Sequence, residues 1–132
     1  ATRFSPDEAI VALYGEDIAK DKARLYAVRD VVEAQQRDQA VDLLVKGIDV
    51  ILENGFWGRS EREAWRTKAH ELGVVVELYF LDVPIETLWS RLEKRNANLP
   101  PATFRVERHE LDEWWGMFET PGLDENPHRI TG

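Results

Sequence analysis

The chain has 132 residues, 43% of them hydrophobic and five of them tryptophan, which is enough for one globular domain with a core. Acidic residues outnumber basic residues by 25 to 17, and the net charge of −8 argues against sequence-independent binding to nucleic acid or to an anionic membrane. The lack of cysteine excludes disulfides and thiolate metal sites, and without a signal-peptide pattern or an apolar run of roughly 20 residues, a cytoplasmic protein is expected.

The first segment, RFSPDE, predicts the end of a strand followed directly by a helix start. Ser5 and Glu8 have the spacing of a capping box, and Pro6 falls at the first helical position, where its missing N–H leaves no hydrogen bond unmade. From about Lys20 to Lys46 apolar residues recur at helical spacing, which predicts a long helix that Gly47 ends. Its polar middle, EAQQRDQ, is a candidate bend.

Two apolar runs, IDVILEN and VVVELYFL, predict two further strands, the second of them buried on both faces. Between them, Ser60 and Glu63 have the spacing of another capping box, and Gly73 ends that helix. Pro84 then opens a helix with one apolar side, and HRIT near the end of the chain is a candidate edge strand. This alternation predicts an α/β fold with a parallel sheet and helices on both of its faces.

Residues that follow the strands are the first place to look for a ligand site, because ligands of open parallel sheets bind beyond the carboxyl ends of the strands. Here those residues are Ser5 to Glu8, Glu53 to Arg59, and Asp82. Arg91 and Arg95 come one helix later and lie on one helical face. Carboxylates can hold Mg²⁺ or accept a hydroxyl proton, and guanidinium groups neutralise phosphoryl oxygens, so the pattern indicates phosphoryl transfer.

A family resemblance rests on three segments, DVILENGFWGRSEREAWR, VELYFLDVPIETLWSRLEKRN and LPPATFRVERHELDEWWGMFETP. Together they resemble the P-loop kinase-like ATP-binding proteins grouped with zeta toxins, chloramphenicol phosphotransferase and polynucleotide kinase. The resemblance covers nearly the whole chain. Its most specific part runs from the strand through LDVP and the arginine-bearing helix into a lid, whereas the strand ending at Glu53 matches more loosely, because the family commonly has aspartate there.

In that family a stretch like RFSPDE follows a first strand, a phosphate loop and a helix. The loop motif G-x-x-x-x-G-K-[ST] contains a Gly-Lys pair, and none of the eight glycines here is followed by lysine. We therefore expect residues 1–132 to be a single P-loop kinase-like domain without its first βα unit of about 30 residues, a fragment that is inactive alone. A degenerate relative that evolved without the loop is the alternative.

The resemblance implies that the absent strand is central, between the strand ending at Glu53 and the strand from about Val75 to Leu81. Three arrangements can fill its place: direct pairing of those two strands, a strand swapped from a second copy in a homodimer, or a first segment outside this sequence. We favour the last, with Thr2 to Ser5 as a strand beside Val50 to Glu53 and all strands parallel.

The resemblance also implies roles for two acidic residues. Asp7 is the expected general base toward, or binder of, the acceptor hydroxyl, and the alternative is an acid that interacts with the helix dipole. Glu53 is expected to support the Mg²⁺ shell, and the alternative is an exposed acid at a turn. Glu8 is interpreted as the capping-box acid. Arg59 and Arg62 are interpreted as surface arginines near a helix start, and the alternative is that they face substrate or phosphate.

Three arginines complete the expected site. Arg91 and Arg95 correspond to lid-helix arginines over the ATP phosphates, and the alternative is a solvated helix face paired with neighbouring glutamates. The segment 96–106, which contains NLPPATFR, is interpreted as a lid or its hinge. Arg105 would then add positive charge over the nucleotide. The alternative is a plain loop. Asp7, Glu53 and the Arg91–Arg95 face are expected to converge on one cleft.

The resemblance thus implies an ATP-dependent kinase that, when intact, transfers the γ-phosphoryl group of ATP to a hydroxyl with Mg²⁺ as cofactor. The acidic net charge favours a small-molecule acceptor over nucleic acid. The alternative is a non-catalytic nucleotide-fold binding or regulatory module. Three aromatic residues are interpreted as part of the core: Trp114, Trp115 and Phe118. Together with Leu111 they have the spacing of the apolar face of a helix.

Overall fold

A computed structural model describes residues 1–131. Its strands and α-helices are, in chain order, β1 (Thr2–Phe4), α1 (Pro6–Tyr14), α2 (Lys22–Val45), β2 (Val50–Leu52), α3 (Arg59–Leu72), β3 (Tyr79–Leu81), α4 (Ile85–Ala97), α5 (Arg108–Met117) and β4 (His128–Ile130). Short 3-10 helices cover Glu16–Lys20 and Leu123–Glu125. Among these helices none is both long and apolar enough to cross a membrane.

The described chain divides into two compact units. The first consists of Ala1–Gly55 with Leu99–Arg105, and the second begins with Phe56–Asn98 and continues from Val106 onward. Each unit contains one parallel sheet of two strands, β1 with β2 in the first and β3 with β4 in the second. The predicted α/β class with parallel strands is therefore confirmed, and the helices expected on both faces of one sheet stay a prediction.

The sheet of the first unit has the predicted pairing. Thr2 lies opposite Val50 and Phe4 opposite Leu52, in parallel register. The backbone N–H of Glu53 continues the ladder by donating to the carbonyl of Phe4 at 3.0 Å. Because the strands are parallel, the residues that follow β1 and β2 lie at the same end of this sheet.

The start of α1 follows its sequence signals in one respect and departs from them in another. Ser5 accepts a hydrogen bond from the backbone N–H of Glu8 at 3.4 Å, and Pro6 occupies the first turn, as predicted. The reciprocal half of the capping box is absent, because the carboxylate of Glu8 binds the guanidinium group of Arg3 instead. A charged donor is a stronger partner for a carboxylate than the backbone N–H of Ser5.

The core of the first unit forms where α1, α2 and the segment 99–105 meet. Ile10 is fully buried, and Leu25 and Val32 are only 1% and 2% exposed. Phe104 packs into the same cluster. The long helix is continuous from Lys22 to Val45, without an interruption at EAQQRDQ, and the side chain of Asp21 caps its first turn by accepting from the N–H of Arg24.

The sheet of the second unit differs most from its prediction. Only three residues of VVVELYFL form the strand β3, and the run is not buried on both faces, since Val75 is 90% exposed and Tyr79 is 62% exposed. Phe80, on the opposite face, stacks on Phe118 with ring centroids 5.7 Å apart. Burial on both faces requires packing layers on both sides. The predicted edge strand HRIT is confirmed as β4.

The helices of the second unit occur where the sequence predicts them, but some begin at different residues. α3 begins at Arg59 after Gly58, so Ser60 lies inside the first turn and does not cap it, whereas Gly73 ends the helix in the left-handed conformation at φ 70°, as predicted. Leu111 of α5 is buried, but Trp115 is 45% exposed and does not belong to the core.

Candidate functional site

Asp7 lies in the first turn of α1, directly beyond the carboxyl end of β1. Its Oδ1 atom accepts a hydrogen bond from Nη2 of Arg29 at 2.7 Å. The Asp7 side chain is 43% exposed and the Arg29 side chain 26% exposed. Among residues 1–131 no side chain donates a hydrogen bond to Oδ2, which leaves this oxygen available to an outside donor such as a hydroxyl group.

Glu53 lies at the same end of the sheet, directly after β2, and Arg3 connects it to Glu8. Nη2 of Arg3 donates to both carboxylate oxygens of Glu8, at 2.7 and 2.8 Å, and Nη1 donates to Oε2 of Glu53 at 2.9 Å. These bonds, first those to Glu8 and then those to Glu53, raise the pKa of Arg3 above its ordinary value. One guanidinium group therefore neutralises part of the charge of two carboxylates at this edge.

The carboxylates suit Mg²⁺ only as part of a nucleotide complex. No group of three acidic or histidine side chains that could hold a metal ion occurs in the part of the chain that the structure describes. Mg²⁺ in phosphotransferase sites is commonly held by one or two carboxylates together with phosphate oxygens and waters. Oε1 of Glu53 accepts no hydrogen bond from a side chain within residues 1–131, so it fits one position in such a shell.

Arg91 and Arg95 lie on α4, in the second unit, whereas Asp7 and Glu53 lie in the first. Arg91 is exposed and Arg95 is partly buried. Their expected convergence with the acidic residues stays a prediction. The alternative interpretation pairs the two arginines with Glu86 or Glu93. Of these, Glu86 is bound at both oxygens by Arg108, at 2.7 and 3.1 Å, and this lowers the pKa of Glu86.

Arg105 belongs to the segment 99–105, which clusters with the first unit. Its side chain is exposed, and its carbonyl accepts a hydrogen bond from Nζ of Lys22 at 3.0 Å. The preceding residue, Phe104, is only 6% exposed. The predicted lid is therefore anchored at this end by an aromatic side chain in the core, and its role as a lid stays a prediction.

Arg62 is not the surface arginine that the sequence suggests. It is 3% exposed and binds the buried carboxylate of Glu125 through Nε at 2.8 Å and Nη2 at 3.2 Å. Arg66 and the backbone N–H of Gly122 donate to the same carboxylate at 2.9 and 3.0 Å. These contacts tie the 3-10 helix at Leu123–Glu125 to α3, so Arg62 is a structural residue of the second unit.

Arg59 is more exposed than Arg62, and it pairs with Glu63 and Asp124. Neither Arg59 nor Arg62 is free to face a phosphate in this structure. The interpretation of both as residues without a substrate role therefore agrees with their contacts, whereas the expected surface position of Arg62 is wrong.

Sequence reasoning missed Arg3 and Arg29, the two arginines that contact candidate acids. The parallel register offers a signal for Arg3, because it lies on β1 beside the strand that ends before Glu53. No local signal identifies Arg29, because its contact with Asp7 depends on how α1 packs against α2. Ion pairs between residues far apart in the sequence arise from tertiary packing.

Comparison with known proteins gives one match. A family model described as an AAA domain matches residues 1–121. No curated protein and no solved structure gives a match. AAA domains have a P-loop NTPase-like, nucleotide-binding fold, and the helix-rich α/β structure with parallel strand pairs is consistent with it. Since the match covers nearly the whole chain, the protein belongs to this AAA domain family.

Proposed function

We propose that this domain is part of an ATP-dependent kinase that phosphorylates a hydroxyl group of a small molecule. One observation carries the proposal: in a chain of the AAA domain family, the parallel pairing of β1 with β2 places Asp7 and Glu53 after neighbouring strands, at the same end of the sheet. Ligands of open parallel sheets bind at this end. The net charge of −8 favours a small acceptor over a polynucleotide.

In the proposed reaction Asp7 accepts the proton of the acceptor hydroxyl as its oxygen attacks the γ-phosphorus of ATP. The bond between the γ-phosphorus and the β,γ-bridging oxygen breaks, and ADP leaves. The open Oδ2 of Asp7 suits this role, because a general base needs an oxygen that the substrate can reach. The carboxylate is also half-exposed, so an acceptor can approach it from solvent.

Glu53 would hold Mg²⁺ through Oε1 or a metal-bound water, and the ion would neutralise phosphate charge. Arg91 and Arg95 would bind the phosphoryl oxygens, and Arg105 would add positive charge near the nucleotide. Guanidinium groups suit phosphates because their planar donors match two oxygens at once.

We further propose that the phosphate loop is supplied by residues outside this sequence. Exposed apolar side chains support an additional βα unit, because parallel sheets are normally covered by helices on both faces and the helix of such a unit would cover one of them. In the first unit Ile51 is 51% exposed, and in the second unit Tyr79 and Leu81 are 62% and 45% exposed. The reading frame of the gene tests this directly: an apolar strand followed by G-x-x-x-x-G-K-[ST] supports the kinase, and a frame without it supports a non-catalytic module.

The function is tested with the full-length protein. Isothermal titration calorimetry should detect ATP binding that strengthens with Mg²⁺, and Mg²⁺ alone should give little heat, because the described carboxylates do not form a metal site by themselves. A screen of hydroxylated small molecules, read by ADP release, should then identify an acceptor. Binding of ATP without ADP release for any acceptor, including oligonucleotide ends, would argue for a binding module.

Arg91→Ala and Arg95→Ala test the arginines of α4 in the same protein. We expect each substitution to lower kcat by roughly tenfold to a hundredfold with a smaller change in KM, because a charged hydrogen bond to the transferring group strengthens in the transition state. Steady-state ADP release measures both constants. The control is Lys94→Ala, on the same helix. Unchanged kinetics in both arginine variants would assign these residues to a solvated helix face.

A further inference from the structure

We propose that Arg29 is a positioning residue that orients the Asp7 carboxylate toward the acceptor hydroxyl. The inference rests on the proposed function and extends it to a residue on α2 that no sequence motif marks. The contact that motivates it is the hydrogen bond from Nη2 of Arg29 to Oδ1 of Asp7, at 2.7 Å.

The hydrogen bond from Arg29 involves only one of the two carboxylate oxygens of Asp7. Oδ1 is held by a charged donor, and Oδ2 receives no side-chain hydrogen bond within residues 1–131. An aspartate side chain has two rotatable bonds, so a base held at one oxygen presents the other in a defined direction. A general base must lie within about 3 Å of the proton donor, and misplacement by about 1 Å can cost a hundredfold in rate.

Two other residues on the same face of α2 help to hold the start of α1 in place. Arg29, Val32 and Gln36 lie on one face of the helix, because they are three and four residues apart. Val32 is buried in the core, and Nε2 of Gln36 donates to the carbonyl of Ser5 at 3.2 Å. This face therefore holds the backbone before α1 through Gln36 and the Asp7 carboxylate through Arg29.

The pair is not needed to join the two helices. Ile10 of α1 and Leu25 and Val32 of α2 are buried together, and burial of such apolar side chains is the main source of stability between packed helices. A partly exposed ion pair contributes much less to stability than these buried side chains. A contact that adds little to stability yet fixes one carboxylate oxygen is better explained by orientation of that carboxylate.

Arg29→Met tests the inference in the full-length protein, because methionine keeps an unbranched apolar stem and removes the guanidinium group. With MgATP and an acceptor from the ADP-release screen, we expect kcat to fall roughly tenfold to a hundredfold, while the Kd for MgATP and the midpoint of thermal unfolding change little. Arg29→Lys should recover part of the loss, because it restores one charged donor. Arg37→Met, an exposed position on the same helix, is the matched control.

Two outcomes separate this inference from the proposed function. If Asp7→Asn abolishes turnover and Arg29→Met does not change it, Arg29 is not a positioning residue, and the kinase function stands. If the unaltered protein transfers no phosphoryl group to any acceptor, the proposed function is wrong, and this inference is overturned with it. A crystal structure of Arg29→Met in which the Asp7 carboxylate keeps its position would also overturn the inference, whatever the activity.

Discussion

Replacing Asp7 with asparagine in the full-length protein is expected to lower kcat roughly 10²- to 10⁴-fold, because a positioned general base contributes about that factor. Asparagine has nearly the same shape and keeps an oxygen for Arg29, but it cannot accept the hydroxyl proton. The Kd for MgATP should stay within about threefold of its original value, since the side chain faces the acceptor in the proposed reaction. Calorimetry and steady-state ADP release measure the two effects.

The control is Asp38→Asn, which removes a carboxylate at an exposed position of α2 and should leave kcat unchanged. A second control is the midpoint of thermal unfolding, because Asp7 also lies in the first turn of α1, where a negative charge stabilises a helix by about 0.3 to 1 kcal/mol. If Asp7→Asn lowers only this midpoint and leaves kcat intact, Asp7 is a helix-dipole acid.

Glu125→Gln is expected to lower the free energy of unfolding by about 3 to 5 kcal/mol, because removing one partner of a buried ion pair leaves the other charge uncompensated. Arg62 is 3% exposed and has Glu125 as its ionic partner. Glutamine keeps the volume of the side chain and one acceptor oxygen, but its amide nitrogen cannot accept the hydrogen bonds made at the other oxygen, so the loss reports the missing charge together with those bonds. Urea unfolding followed by fluorescence of the tryptophans measures the change.

The neighbouring Asp124→Asn is the matched control, because Asp124 binds Arg59 in an ion pair whose side chains are 64% and 39% exposed. Solvent and salt weaken such a pair, and we expect a loss of about 1 kcal/mol or less. Equal losses in the two variants would show that burial does not decide the strength of these contacts.

The lowered pKa of Glu125 predicts that the stability of the folded protein decreases at acidic pH. The hydrogen bonds from Arg62, supported by those from Gly122 and Arg66, lower the pKa of Glu125 from 4.5 to about 2 against the opposing effect of burial. A carboxylate with a lowered pKa in the folded state contributes its full stability above its unfolded pKa. That contribution is lost as the pH falls from about 4.5 to about 2. Glu125→Gln should flatten the decrease in unfolding free energy over this range.

Local architecture could be inferred from the amino-acid sequence. Alternating apolar and amphipathic segments indicated strands and helices, and Pro6 and Gly73 marked a helix start and a helix end that the structure confirms. The parallel direction of the strands followed from the alternation of strands with helices, whereas the pairing of β1 with β2 was expected from the family resemblance. These features depend on backbone conformation and on neighbours within a few residues, and both can be inferred from sequence spacing.

Contacts between distant charged residues depend on the packing of the folded chain. Arg29 and Asp7 are 22 residues apart, Arg3 and Glu53 are 50 apart, and Arg62 and Glu125 are 63 apart. The same holds for burial, since VVVELYFL has the composition of a covered strand but exposes Val75 and Tyr79. An arginine on a helix has the same local pattern whether it contacts solvent, a buried glutamate or a candidate base. Only the packing of distant segments sets its partner, because the strength of an ion pair depends on distance and burial.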